Sequence, residues 1–359
     1  MNMLETRSSP RNSTNSLIKE AERRLLRHPF ETWPALRNGH AMTIFCNLWR
    51  RRFRLGEWPD ERRLFRTEPE TQVVAHCHWQ PDRQARPTVI LVHGLEGCAD
   101  RPYILGTAEK ALRAGFNVIR QNVRNCGGTE HLTPTLYHSG LTDDLHAIVR
   151  ELIERDGLPE IYVAGFSMGG NQALRFAGEL ADRAPAELRG IVAVSPAMDL
   201  AACCDAISRP QCRVYEERFL SSLKARMRLK EQLHPGTFDL DRILRVRGLR
   251  EFDDVVTGPY FGFGDSNGYY ASASSRPHLG RIRVPTLVVT AQDDPFIPFE
   301  PFRDPGVAAN PHLLLLAPRH GGHVGFFGRQ SAGGRREDPY WAENRAVQFC
   351  ALVSRLAVV

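Results

Sequence analysis

The chain has no uninterrupted run of about 18 apolar residues. Its best candidates, Gly190 to Ala202 and His312 to Pro318, are short or broken by Pro or Asp. A transmembrane helix is thereby excluded. The eight cysteines (46, 77, 98, 126, 203, 204, 212 and 350) lack the paired short spacing of a zinc site or disulfide framework. Reduced thiols are expected, since a chain of 359 residues buries enough core to need no staples. No apolar signal-peptide core follows the charges of Met1 to Glu20, so the expected location is cytoplasmic. His76, His78, His131, His138, His320 and His323 form no H-E-x-x-H and no Asp/His ligand spacing, which argues against a metallohydrolase. No metal and no cofactor is expected. Charge of one sign is scarce as well: 47 Lys+Arg against 41 Asp+Glu leave a net +6, largely interspersed, too mild for a nucleic-acid partner. There is no internal repeat and no low-complexity tract.

What is present has the balance of a globular protein, 42% hydrophobic and 25% charged. Residues 1–60 are Arg-rich, with Glu20 to Arg27 reading as a short helix and Trp49-Arg50-Arg51-Arg52-Phe53 as a basic aromatic cluster. This arm either wraps the domain with its arginine stems over apolar surface or is drawn to anionic lipid or substrate. From about residue 62 onward, eight strand-like runs alternate with helical stretches. The strands are Arg63 to Arg66, Val73 to Trp79, Thr88 to Val92, Phe116 to Asn122, Ile161 to Ala164, Gly190 to Val194, Thr286 to Thr290 and His312 to Leu316. The helices are Ile104 to Ala114, Asp143 to Glu154, Asn171 to Ala181 and Glu343 to Leu356. The fold class is therefore α/β, a mostly parallel eight-stranded sheet with helices on both faces. Thr142 stands where a cap belongs. His76 and His78 share one strand face and read as surface groups. One insertion, about 199–281, carries a charged helix (Glu216 to Gln232) and an aromatic, glycine-rich loop (Thr257 to Tyr270), and is expected to be a lid.

Gly165-Phe166-Ser167-Met168-Gly169 fits G-x-S-x-G and falls between a buried strand and a helix. Such a turn pushes the serine Oγ outward and needs glycines where the helix crosses the strand. A serine hydroxyl is a poor nucleophile at neutral pH, so it requires a base and an acid that orients the base. The order Ser, Asp, His directs attention to two late strand exits, Ala291-Gln292-Asp293-Asp294-Pro295 and His320-Gly321-Gly322-His323. Asp294 is preferred because it lies three positions after the small residue Ala291 and just ahead of the proline; Asp293 would then be a solvated or turn-capping carboxylate. His323 is preferred because two glycines let its loop curl back, whereas His320 stands at the strand exit. Oxyanion donors are expected from the N–H groups of Met168 and Leu95, the latter in His93-Gly94-Leu95-Glu96-Gly97, with His93 bracing that loop. The aromatic residues Tyr260, Phe261, Phe263, Tyr269 and Tyr270, with Phe219 and Leu220, either form an acyl-chain wall or simply pack the insertion onto the domain.

These residues together resemble the α/β-hydrolase superfamily and, within it, the YheT-like branch of bacterial esterases and eukaryotic abhydrolase-domain lipases and ester synthases. The resemblance covers about 290 residues, from Pro34 to Phe326, in colinear order. It includes Asn38-Gly39-His40 with Thr43-Ile44, His93 to Gly97, Asn125-Cys126-Gly127-Gly128, Thr142 to Leu145, Gly165 to Gly170, Phe252-Asp253, Tyr269-Tyr270, Asp293 to Pro295 and His320 to Phe326. It implies a triad of Ser167, Asp294 and His323 acting on short- or medium-chain acyl esters or lipid esters. Relatives commonly carry glycine where this chain has Asn125, which would alter the site if that loop lines it. The expected partner is a small-molecule ester, with peripheral contact to membrane or lipid left open and no oligomeric state indicated. Two alternatives stand beside hydrolysis: acyl transfer to an alcohol at the same triad, and a non-catalytic binding module.

Overall fold

The structure is a computed structural model describing residues 10–329 and 337–356. The first nine residues of the basic arm, together with 330–336 and 357–359, lie outside the described residues. Two helices, α1 (Pro10–Leu25) and α2 (Gly39–Leu48), precede the sheet. The chain then runs β1 (Glu61–Glu68), β2 (Thr71–His78), β3 (Thr88–Val92), α3 (Pro102–Arg113), β4 (Asn117–Gln121), α4 (Asp143–Glu154), β5 (Ile161–Phe166), α5 (Met168–Leu180) and β6 (Leu188–Val194). The insertion follows with α6 (Leu200–Ile207) and α7 (Arg213–Leu233), then β7 (Thr286–Val289), β8 (Leu313–Leu316) and the C-terminal helix Trp341–Leu356.

The eight strands lie in the order β1-β2-β4-β3-β5-β6-β7-β8. β1 and β2 are antiparallel, as are β2 and β4; the remaining pairs are parallel. Every residue of β3, β4 and β5 is buried, as expected of strands covered on both faces. Side chains alternate between two cores. Ile90 and Val92 join α4, α5 and the insertion on one face, while Val89 and Leu91 join α1, α3 and the C-terminal helix on the other. After β3 the chain crosses to β4 on one side, and after β5 it continues to β6 on the other. The strand order therefore reverses between β3 and β5, where an open α/β sheet leaves a crevice beyond its carboxyl edge.

Three local expectations are corrected. Thr142 does not cap α4 through its side chain; its Oγ1 donates to Glu179 Oε2 at 2.6 Å, because α5 packs alongside. His78 is buried rather than superficial, with Nδ1 3.1 Å from the Trp58 carbonyl, because residues leading into β1 cover it. The stretch Thr257 to Tyr270 is not all loop: a helix opens at Ser266, where Asp265 Oδ1 accepts the Gly268 N–H at 2.8 Å. Within the basic cluster, Arg51 is bonded to both Glu343 carboxylate oxygens (2.5 and 2.8 Å) and lies 3.4 Å over the Tyr340 ring.

Candidate active site

Ser167 stands between β5 and α5 with φ 55° and ψ −117°, a backbone that L-residues avoid and that a tight surrounding must hold. The crowding is severe enough to dictate glycine. A Cβ on Gly165 would lie 2.0 Å from the Gly169 carbonyl oxygen, and one on Gly169 would lie 2.4 Å from the Val92 carbonyl oxygen. The register Val92↔Gly165 brings the exit of β3 beside this elbow. A Cβ on Gly94 would sit 3.0 Å from Ser167 Cβ, so the loop after β3 passes directly over the serine.

That loop is fastened on every side. His93 is fully buried, and burial pushes its pKa down to about 4, so the ring is neutral. Its Nδ1–H donates to the Gly94 carbonyl (2.8 Å), which leaves Nε2 to accept the Val123 N–H (3.0 Å). His93 is thus a brace, as expected. The Gly94 and Glu96 N–H groups donate to the hydroxyls of Tyr103 (3.1 Å) and Tyr137 (3.3 Å). Glu96, at φ 53°, accepts a two-pronged bond from Arg226 of α7 (2.9 and 3.0 Å), and Ser222 and Tyr137 add hydroxyl donors. Leu95 lies between these anchors and lines the same cavity as Ser167 and Met168.

The two acid–base candidates pair off separately. Asp294, with no exposed side-chain surface, holds Oδ2 2.9 Å from His323 Nδ1 and accepts the Phe296 and Ile297 N–H groups on Oδ1 (3.1 and 3.0 Å). Asp293 accepts the Gly322 N–H at 3.0 Å and lies 3.2 Å from His320 Nδ1. An ionised carboxylate only accepts, so Asp294 places the His323 proton on Nδ1 and leaves Nε2 as the base. The His323 ring packs 4.0 Å from the Phe296 ring and lines a cavity with Ser167. No hydrogen bond joins His323 directly to Ser167 Oγ among the described residues; such bonds are commonly long before substrate arrives.

Sequence reasoning missed the contribution of α2, which it assigned to the arm. Thr43 Oγ1 accepts the His323 N–H at 2.8 Å and donates to the Gly39 carbonyl at 2.7 Å. A Cβ on Gly39 would lie 1.8 Å from the Asp293 carbonyl oxygen. Ser195 Oγ takes the Val324 N–H at 3.1 Å. The signal available was the run Asn38-Gly39-His40 with Thr43-Ile44 inside the colinear resemblance.

Two cavities meet at Ser167 and share Leu95, Phe219 and Phe296. One, about 150 Å³, runs under the insertion among apolar side chains such as Leu200, Met227 and Phe252. The other, about 560 Å³, opens on the His323 side between α2 and α7. Of the expected acyl wall, Tyr269, Tyr270 and Phe219 line the apolar cavity. Phe261 and Phe263 instead pack around the His138 ring (4.5 and 5.3 Å), Tyr260 stacks near Phe238 (5.6 Å), and Leu220 belongs to the core. Asn125 takes φ 60°, which asparagine tolerates, donates to the Thr135 carbonyl at 2.8 Å and lines neither cavity. Asn125 therefore leaves the shape of both cavities to other residues. Burial pushes the Asp253 carboxyl, in the apolar cavity, up to about 6, even though Thr257 (2.6 Å) and Tyr270 (2.7 Å) donate to it.

Residues 87–330 match the alpha/beta hydrolase fold family. YheT of Escherichia coli (strain K12), a protein provisionally named an esterase, is 32% identical over 310 residues, covering 86% of this chain and 88% of that protein. The chain belongs to the alpha/beta hydrolase family. It is an enzyme of the esterase and lipase type within that family. The monoacylglycerol lipase of Saccharomyces cerevisiae is 32% identical over 261 residues, covering 70% of this hydrolase but only 57% of the lipase. The esterase Pf2001 of Pyrococcus furiosus superposes with a TM-score of 0.50 at 16% identity, covering 76% of this chain and 88% of that one, which shows the shared fold. Among the described residues no helix is long and apolar enough to cross a membrane.

Proposed function

We propose that this hydrolase cleaves carboxylic esters through an acyl-enzyme on Ser167. The observation that carries the reading is the strained Ser167 elbow sharing one cavity with a His323 ring held 2.9 Å from buried Asp294. Ser167 Oγ attacks the ester carbonyl while His323 Nε2 takes its proton, and Asp294 stabilises the imidazolium. The N–H groups of Leu95 and Met168 bind the oxyanion, each donor contributing roughly 2.7–4 kcal/mol. His323 then protonates the departing alcohol, and water, deprotonated by His323, releases the acid.

The narrow apolar cavity fits a short or medium acyl chain, being small against the roughly 300–1,000 Å³ of ordinary ligand sites. The wider cavity, on the His323 side, fits the alcohol. Its size also admits an alcohol in place of water at the second step, which would make the site an ester synthase. The eight unpaired thiols support a reducing compartment, the cytoplasm.

The test is labelling with a fluorophosphonate, location of the adduct by mass spectrometry, and turnover of p-nitrophenyl esters of increasing chain length. Adduct at Ser167 with hydrolysis falling off for long chains is expected. Absence of label at Ser167, or turnover that survives Ser167→Ala, sinks the mechanism. Ester formation outpacing hydrolysis when ethanol is added would establish acyl transfer instead.

A further inference from the structure

We propose that the mouth of the wider cavity is a docking surface for an anionic lipid bilayer, so that the ester reaches Ser167 from the lipid phase. This rests on the ester-hydrolase reading of the same site. Two helices frame the mouth. Ile44 and Leu48 of α2 and Val214 and Arg218 of α7 each stand four residues apart, so each pair shares one helix face, and all four line the cavity. Leu48 is 71% exposed and Val214 76%. Ile44 is also exposed, as is Trp49, which directly follows α2. Single exposed aliphatic residues are ordinary on any protein. Here Ile44, Leu48 and Val214 converge on the opening of a cavity lined by both Ser167 and His323.

Charge selects the occupant. Arg218 is exposed and lines this mouth, while Arg50 and Arg52, also exposed, follow Leu48 and Trp49 directly in the chain and border a neighbouring cavity. Their neighbours Arg51 and Arg213 are matched with Glu343 and Glu217, but no carboxylate pairs with Arg50, Arg52 or Arg218 among the described residues. Apolar tips flanked along the chain by unpaired arginines are the chemistry an anionic interface binds, the aliphatic groups entering the acyl boundary and the guanidinium groups meeting phosphates. A second copy of the chain docked on this face would bring the same unpaired arginines together, which Coulomb repulsion opposes.

The experiment is flotation of the full chain with vesicles of phosphatidylcholine alone and of phosphatidylcholine with a third phosphatidylglycerol. Binding to the anionic vesicles only, weakened by salt, is expected. Arg50→Gln with Arg52→Gln should lower partitioning roughly 30-fold. Trp49→Ser should lower it by a similar factor, and neither variant should change hydrolysis of soluble p-nitrophenyl butyrate, which also reports folding. Failure of the unmodified protein to float, or variants floating as it does, overturns the proposal. So does light scattering that shows a dimer dispersed by the same substitutions. If the unmodified protein floats but hydrolyses no ester, the docking surface stands and the ester-hydrolase reading fails.

Discussion

Asp293 is bonded to His320 and not to His323: its Oδ2 lies 3.2 Å from His320 Nδ1, while the next residue, Asp294, holds His323 at 2.9 Å. Two adjacent carboxylates thus serve two histidines three residues apart. Only the second histidine lines the cavity with Ser167. Asp294→Asn should therefore lower kcat by about 10³–10⁴-fold, since the wrong His323 tautomer is favoured. Asp293→Ala removes the acceptor of the Gly322 N–H, and should lower the melting temperature by a few degrees while kcat falls less than about tenfold. Steady-state kinetics beside thermal melts separate the two; equal kcat losses would mean the acids share the task.

The elbow leaves no room for a methyl group. Gly169→Ala would press on the Val92 carbonyl, backbone that cannot rotate away, and should cost about 2 kcal/mol or more of stability with near-complete loss of turnover. Gly94→Ala is milder, because the contact is with Ser167 Cβ at 3.0 Å. It should keep the fold and lower kcat with KM little changed. Urea denaturation and chain-matched ester kinetics check both, and a fully active Gly94→Ala enzyme would contradict the placement of that loop over the serine.

Glu96 joins the oxyanion loop to the insertion. Burial alone would raise its carboxyl pKa, but the Arg226 bonds and charge outweigh that and hold it below the usual range. Removing only Arg226, as in Arg226→Met, leaves a buried carboxylate short of its cation and should cost about 3–5 kcal/mol. Pairing Arg226→Met with Glu96→Gln should restore much of that stability. Turnover should still be down about 10²-fold, because Leu95 would no longer be held. A double-mutant cycle measures the coupling; its absence would mean that the pair is ornamental. The depressed acid contributes stability above the ordinary Glu pKa, and this contribution is lost as pH falls through the lowered folded value.

Asp253 has the opposite sign. Its folded pKa is raised from 3.8 to about 6, so the folded state keeps a proton that the unfolded chain releases. Stability should fall by about 3 kcal/mol as pH rises through this window and stay level above it. In Asp253→Asn that slope should vanish. Denaturant titrations of both proteins at pH 4 and pH 7 provide the comparison, and parallel behaviour would refute the assignment.

The strands and the elbow were legible in the residues themselves, because burial periodicity and glycine crowding are local constraints; the proposed order of Ser167, Asp294 and His323 came instead from where each residue falls after its strand. So was the role of His93, whose loop position alone called for a brace. Thr43 was not legible, since its hydroxyl meets His323 across 280 residues of chain. Nor was the Glu96–Arg226 clamp, which forms only after α7 folds back over the sheet edge. The aromatic residues of the insertion illustrate the same divide. Composition placed Phe261, Phe263, Tyr269 and Tyr270 together, but packing alone decided that the tyrosines face the cavity while the phenylalanines enclose His138. Local sequence determined which groups could be reactive. The tertiary structure decided which partners meet, because pairing between distant segments depends on how whole helices seat on the sheet and not on any short run of residues.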